Sequence, residues 1–118
     1  LMLSFQSDRD LRAIVEARPL TAYTESTITT PDKLIDAIRQ VRIDGIGTDN
    51  QEFMHGVVCV AVPVVDAAGN CLGCIAVSAP EARMTLNQML GFVPRMKEAA
   101  HSFAKTFRTP QDTPSKEE

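Results

Sequence analysis

Val57 to Val65 is almost unbroken β-branched and small apolar sequence, and after Asp66-Ala67-Ala68-Gly69-Asn70 the apolar character resumes from Cys71 to Ser78. Two such runs joined by residues that favour turns specify an antiparallel β-hairpin. The continuous apolar composition of the first run predicts a strand covered on both faces, with Pro63 an irregularity near its end.

The flanking sequence reads as helical. Ser7 and the acidic residues after it form an N-cap and first turn, and Leu11, Ile14 and Val15 follow at helical spacing, so a short amphipathic helix should end before Pro19. Leu20 to Thr29, rich in Thr and Ser without helical period, is an extended loop. Thr30-Pro31 then opens a helix that carries Leu34, Ile35, Ile38 and Val41 on one stripe and reaches Asp44, with Gly45 as a left-handed cap. Ile46 to Asn50 suits a short strand. Thr85 and Gln88 form a capping box ahead of one long helix, kinked at Pro94, with Leu86, Met89, Leu90, Val93, Met96, Ala100, Phe103 and Phe107 on its apolar face. Residues 108–118 have nothing apolar to bury and read as a loose tail. The expected fold is α+β, an antiparallel sheet with flanking helices, and the sheet looks too small to be whole.

Composition narrows the function classes. The chain has 118 residues, 44% hydrophobic and 23% charged, as expected for one ordinary globular domain. Its net charge is −3 and the 12 Lys and Arg are interspersed with acids, so it has no stripe with which to neutralise a phosphate backbone. No run approaches the length of a membrane span and no secretion signal opens the chain. Three cysteines, an odd number, suit a reducing compartment, and the cytoplasm is expected.

Cys71-Leu72-Gly73-Cys74 has the spacing of metal and redox motifs, with Cys59 and His55 as further ligand candidates. Hairpin geometry argues against a shared ion. With the turn centred near Ala68 and Gly69, Cys71 pairs near Asp66 and Cys59 near Ser78, which leaves Cys59 and Cys71 roughly 20 Å apart. Cys71 and Cys74, three apart in a strand, also point to opposite faces. No metal or cofactor is expected. Cys59 could serve as a nucleophile with His55, Asp49 or Glu52 as base, but the spacing is not specific, and a buried cysteine usually behaves as a small hydrophobe.

Alternation places Val57, Cys59 and Ala61 on one face of the hairpin, with Ala76 and Ser78 beside them and Asp49 nearby. A patch of small side chains with one hydroxyl and one acid leaves room for a compact polar ligand. A tightly packed helix would explain the same residues, and on spacing alone packing is the preferred reading.

Several linked segments carry a resemblance. Tyr23-Thr24-Glu25-Ser26-Thr27-Ile28-Thr29, Gly45-Ile46-Gly47-Thr48-Asp49-Asn50-Gln51-Glu52-Phe53 and Gly56-Val57-Val58-Cys59-Val60-Ala61-Val62-Pro63-Val64, followed by Asp66 to Gly69 and Ile75 to Arg83, closely resemble in order and spacing the IclR family of transcription regulators. The likeness runs from about Leu1 to Phe107. It implies a GAF-like (profilin-like) effector domain of which residues 1–107 are the latter part, with the DNA-binding winged helix, the linker helix and the first strands outside this chain.

The resemblance further implies a homodimer or tetramer that reaches operator DNA only through that other portion. It implies a small-molecule pocket lined by Asp49, Val57, Cys59, Ala76 and Ser78, and no catalysis. Ala76 stands where a second serine can occur, which removes one hydrogen bond to a ligand. Family ligands include small carboxylates and aromatic acids. Ser78 and backbone amides would then donate to the effector, Val57 and Cys59 would pack on its body, and Asp49 would orient a hydroxyl or amine, while Glu52 and Gly56 shape the loop. The competing readings are a GAF-like thiol redox enzyme using Cys59 and a purely structural dimerisation module.

Overall fold

The computed structural model describes residues 1–107, and the tail expected over 108–118 lies outside the described residues. After a 3-10 helix at Met2–Phe5 come α1 (Asp8–Glu16), α2 (Pro31–Asp44), β1 (Gly47–Asn50), β2 (Val57–Val65), β3 (Cys71–Pro80), α3 (Leu86–Leu90) and α4 (Val93–Ala104). The strands form one antiparallel sheet in the order β1-β2-β3, so the expected α+β class holds.

Local chemistry explains most boundaries. Ser7 accepts a hydrogen bond from the Asp10 amide at the start of α1. Pro31 begins α2, and Gly45, at φ 71°, ends it in the left-handed conformation that glycine adopts without strain. Across the hairpin turn the Asp66 carboxylate accepts from the Ala68 and Asn70 amides. Those bonds, led by the one from Asn70, hold its carboxyl below the usual aspartate range. The hairpin has one irregularity: Val64 pairs with Gly73 but Val65 with Cys71, so Leu72 is the extra residue of a bulge.

The sheet packs on one side. Val58, Val60, Val62 and Val64 alternate inward from β2 and are buried with Met89, Met96 and Ala100 of the overlying α3 and α4. Burying each such valine stabilises the fold by roughly 1.5–3 kcal/mol. The expectation of a strand covered on both faces is corrected here, because the odd-numbered residues of β2 are only half-buried and face the open side. Pro63 sits where it does no harm. The Gln51 amide donates to the Val57 carbonyl, so the odd residues of β2 turn their backbone groups toward β1. The β1 pairing ends at Gly47 and Ala61, and at Pro63 there is no β1 partner to lose.

The expected long C-terminal helix is two helices. Thr85 and Gln88 form the capping box, but α3 stops at Leu90 and α4 starts afresh at Val93 with Pro94 in its first turn. A proline ring would clash with a carbonyl four residues upstream in a continuous helix, so the chain breaks at Gly91-Phe92 instead of kinking. Phe103 and Phe107, expected on the apolar face, are exposed and pack edge to face on each other. Ile14 is likewise exposed.

A second, separate core joins Leu11 and Val15 of α1 to Ile35 and Ile38 of α2, with Leu3 and Leu34 at its margin. Arg42 ties this lobe together by donating to the Ser4 and Gln6 carbonyls and to Asp8. That hydrogen bond holds the Asp8 carboxyl below its ordinary value.

Candidate functional site

Strand register brings the expected residues together. Asp49 pairs with Cys59, and Cys59 pairs with Ser78. Directly opposed residues of antiparallel strands share a face, so the three side chains form one row across the sheet, roughly 10 Å long at the usual strand spacing. The adjacent row is Gly47, Ala61 and Ala76, and Val57 lies beyond Cys59 on the other side, opposite Pro80. The sequence reading of the register at Cys59 and Ser78 is met, whereas Cys71 lies opposite Val65 instead of Asp66.

The row lies on the side of the sheet away from α3 and α4. Asp49 and Cys59 are half-buried and Ser78 is exposed. One border is built by the N-terminus, since a Cβ added at Gly47 would come within 3.1 Å of Leu1, and the 3-10 helix packs beside β3. Gly47 is itself buried against Leu1, so the surface left open is floored by the small side chains of Cys59, Ser78, Ala61 and Ala76. It is not an enclosed cavity, and a concavity of about 660 Å³ lies instead at the hairpin tip.

The turn that follows β1 frames the other border. Asp49 Oδ1 accepts from the Glu52 amide at 2.8 Å, which commits one carboxylate oxygen to the turn and leaves Oδ2 for other partners. Gln51 is in the left-handed region at φ 61°, and its side-chain oxygen accepts from the Gly56 amide. Thr24 donates to the Gln51 carbonyl at 2.6 Å and Thr27 to that of Glu52. Thr24 and Thr27 were not singled out as site residues from sequence, although their Thr-rich, aperiodic setting was visible; a hydroxyl reaching a carbonyl 25 or more residues away leaves no local signature.

Charge near the row is acidic. Burial pushes the Glu52 carboxyl above its ordinary range, and the Asp49 charge adds to the effect. No Lys, Arg or His stands on the three strands. The neighbours of Cys59 across the sheet are thus a carboxylate and a hydroxyl, and no cation that would favour a thiolate stands on the strands. His55 lies 3.8 Å from Glu25. Cys71 is half-buried, Cys74 is exposed, and no cluster of three His, Cys, Asp or Glu side chains among the described residues is arranged to hold a metal.

Residues 1–105 match the family model described as Bacterial transcriptional regulator IclR C-terminal. The chain is 37% identical over 107 residues to the probable transcriptional regulator SauR of Cupriavidus necator, covering 91% of this chain and 42% of that protein. It superposes on the C-terminal domain of the Escherichia coli regulator KdgR with a TM-score of 0.79 and 30% identity, covering 88% of this chain and 63% of that one. A third match is the inducer-binding domain of PobR from Acinetobacter, solved with 3-hydroxybenzoic acid, at TM-score 0.82 and 22% identity over 86% of this chain and 61% of that one; this likeness is one of fold. The chain spans about two fifths of the length of the curated relatives it matches.

Proposed function

The chain belongs to the IclR family of bacterial transcriptional regulators, and on that premise we propose that residues 1–107 are the latter part of an effector-binding domain that holds a small molecule on the open sheet face without transforming it. The observation that carries this reading is the row Asp49-Cys59-Ser78, which sets an acceptor, a small apolar floor and a donor side by side on an uncovered face. An effector would lie over Cys59 and Val57. Its acidic group would accept from Ser78 Oγ and backbone amides, and a hydroxyl or amine would donate to the free oxygen of Asp49. Ala76 widens the floor and contributes no hydrogen bond.

The electrostatics narrow the ligand. With Asp49 and Glu52 at one border and no basic side chain on the strands, an anionic group is held only by neutral donors, so a singly charged hydroxy acid fits better than a dianion. The fold shared with the PobR domain is one that accommodates an aromatic acid, which makes small and aromatic hydroxy acids the first compounds to screen. The domain would act in the cytoplasm within a homodimer or tetramer, with operator DNA bound by the remaining portion of the protein. Effector binding would change regulation by its difference in affinity between two arrangements of domains or subunits, a population shift that involves no bond making.

Thermal unfolding of the full-length protein against hydroxy acids, aromatic acids and sugar acids tests this reading. A ligand at 100 times its Kd adds about 2.7 kcal/mol of stability. The expected result is a saturable rise in midpoint for one compound class that is lost in Ser78→Ala and weakened in Asp49→Asn. A compound that binds equally well to both variants, or is consumed, overturns it.

A further inference from the structure

We infer that the cleft between the hairpin tip and the last turns of α4 is a second ligand site, separate from the sheet row and suited to an amphipathic organic anion such as an aryl or short-chain carboxylate. The cleft holds about 660 Å³, within the roughly 300–1,000 Å³ usual for small-molecule sites. Its apolar surface comes from Val65 and Leu72 on the hairpin and from Ala104 and Phe107 at the end of α4. Leu72 is 38% exposed and Phe107 is 52% exposed, so apolar area faces water that a ligand body would cover. Leu72 is there because of the bulge, as the extra residue between the pairs Val64-Gly73 and Val65-Cys71.

The charges supply the sign. His101 and Lys105 line the cleft, and His101 and Val65 also line an adjoining depression of about 200 Å³ that includes Lys97. Lys97, His101 and Lys105 follow one another at intervals of four, which places them along one face of α4 over about 12 Å. Among the described residues none of the three is in an ion pair. Asp66, the acidic side chain on the opposite wall, keeps its charge, but both its oxygens are engaged by the turn, Oδ1 by the Ala68 and Asn70 amides and Oδ2 by the Asn70 side chain. Basic residues near a helix C-terminus also complement its dipole, which accounts for His101 and Lys105. It does not account for Lys97 in the first half of the helix, nor for uncovered apolar side chains beside the same basic residues.

The test is methyl-detected NMR of the full-length protein titrated with benzoate and with octanoate, using benzamide as the neutral control. The expected result is a saturable shift of the Leu72 and Ala104 methyl signals with either carboxylate. Losing a charge-assisted contact weakens binding by about tenfold or more, so benzamide and the His101→Gln/Lys105→Gln double variant should each show that loss. Both substituted side chains are exposed, so the variant should fold. Ser78→Ala should leave the response unchanged, which separates this site from the sheet row. Methyl signals that do not respond, because another part of the protein fills the cleft, overturn the inference. So do equal responses to benzoate and benzamide, or a double variant that binds as the parent does.

Discussion

Asp49 has one observed role, in the turn, and one proposed role, toward the effector, and substitution separates them. One oxygen accepts from the Glu52 amide, and the other is the one proposed to meet the effector. Asp49→Asn keeps the acceptor and should leave stability nearly unchanged, whereas Asp49→Ala leaves a part-buried amide without its partner and should lower unfolding free energy by about 1 kcal/mol. Denaturant titration of both variants measures the difference. Glu52 adds a pH signature. Its carboxyl is raised above its ordinary value of 4.5 by burial and then by Asp49, so between the unfolded and folded values the native state binds more protons. Stability from this group is therefore lost as pH rises through that interval. Glu52→Gln should raise the melting temperature at pH 7, with the gain vanishing below pH 4.5; a gain that grows on acidification would contradict the assignment. Alternation in the hairpin was enough to identify Cys59 and Ser78 as neighbours, because side chains in strands repeat every two residues. The committed oxygen of Asp49 was not legible, since it depends on a turn set by a left-handed Gln51.

Among the elements, those with their own start and stop signals were legible: α1 through Ser7, α2 through Pro31 and Gly45, and the hairpin through Asp66 to Asn70. The misread element was the last helix, where continuous apolar spacing concealed the break that Gly91 and Pro94 impose. Periodicity reports which face is apolar and says little about a small change of axis. Met89 on α3 is 1% exposed and packs under β2, so Met89→Ala should cost about 2–5 kcal/mol by chemical denaturation. The loop carrying Thr24 and Thr27 is coupled to the turn beside the site by hydroxyl-to-carbonyl bonds. Thr24→Val with Thr27→Val should speed amide exchange across residues 51–56 while leaving the amides of β2 as protected as before. Equal acceleration in β2 would mean that the bonds support the whole sheet.

At the scale of the molecule there are two separate hydrophobic cores, one formed by α1 and α2, the other by the sheet with α3 and α4, and the second leaves one face of the sheet outside it. That face was expected to be covered, because an apolar strand with no charged residue reads as buried on both sides. Its exposure is what the proposed effector site relies on. No helix among the described residues is long and apolar enough to cross a membrane. A crystal structure of the full-length protein with the compound that most raises its melting temperature would locate the effector. The predicted result is a ligand lying over Cys59, with one oxygen within hydrogen-bond distance of Ser78 Oγ and a donor facing the free oxygen of Asp49. A bound effector with the Asp49-Cys59-Ser78 row left empty would contradict it.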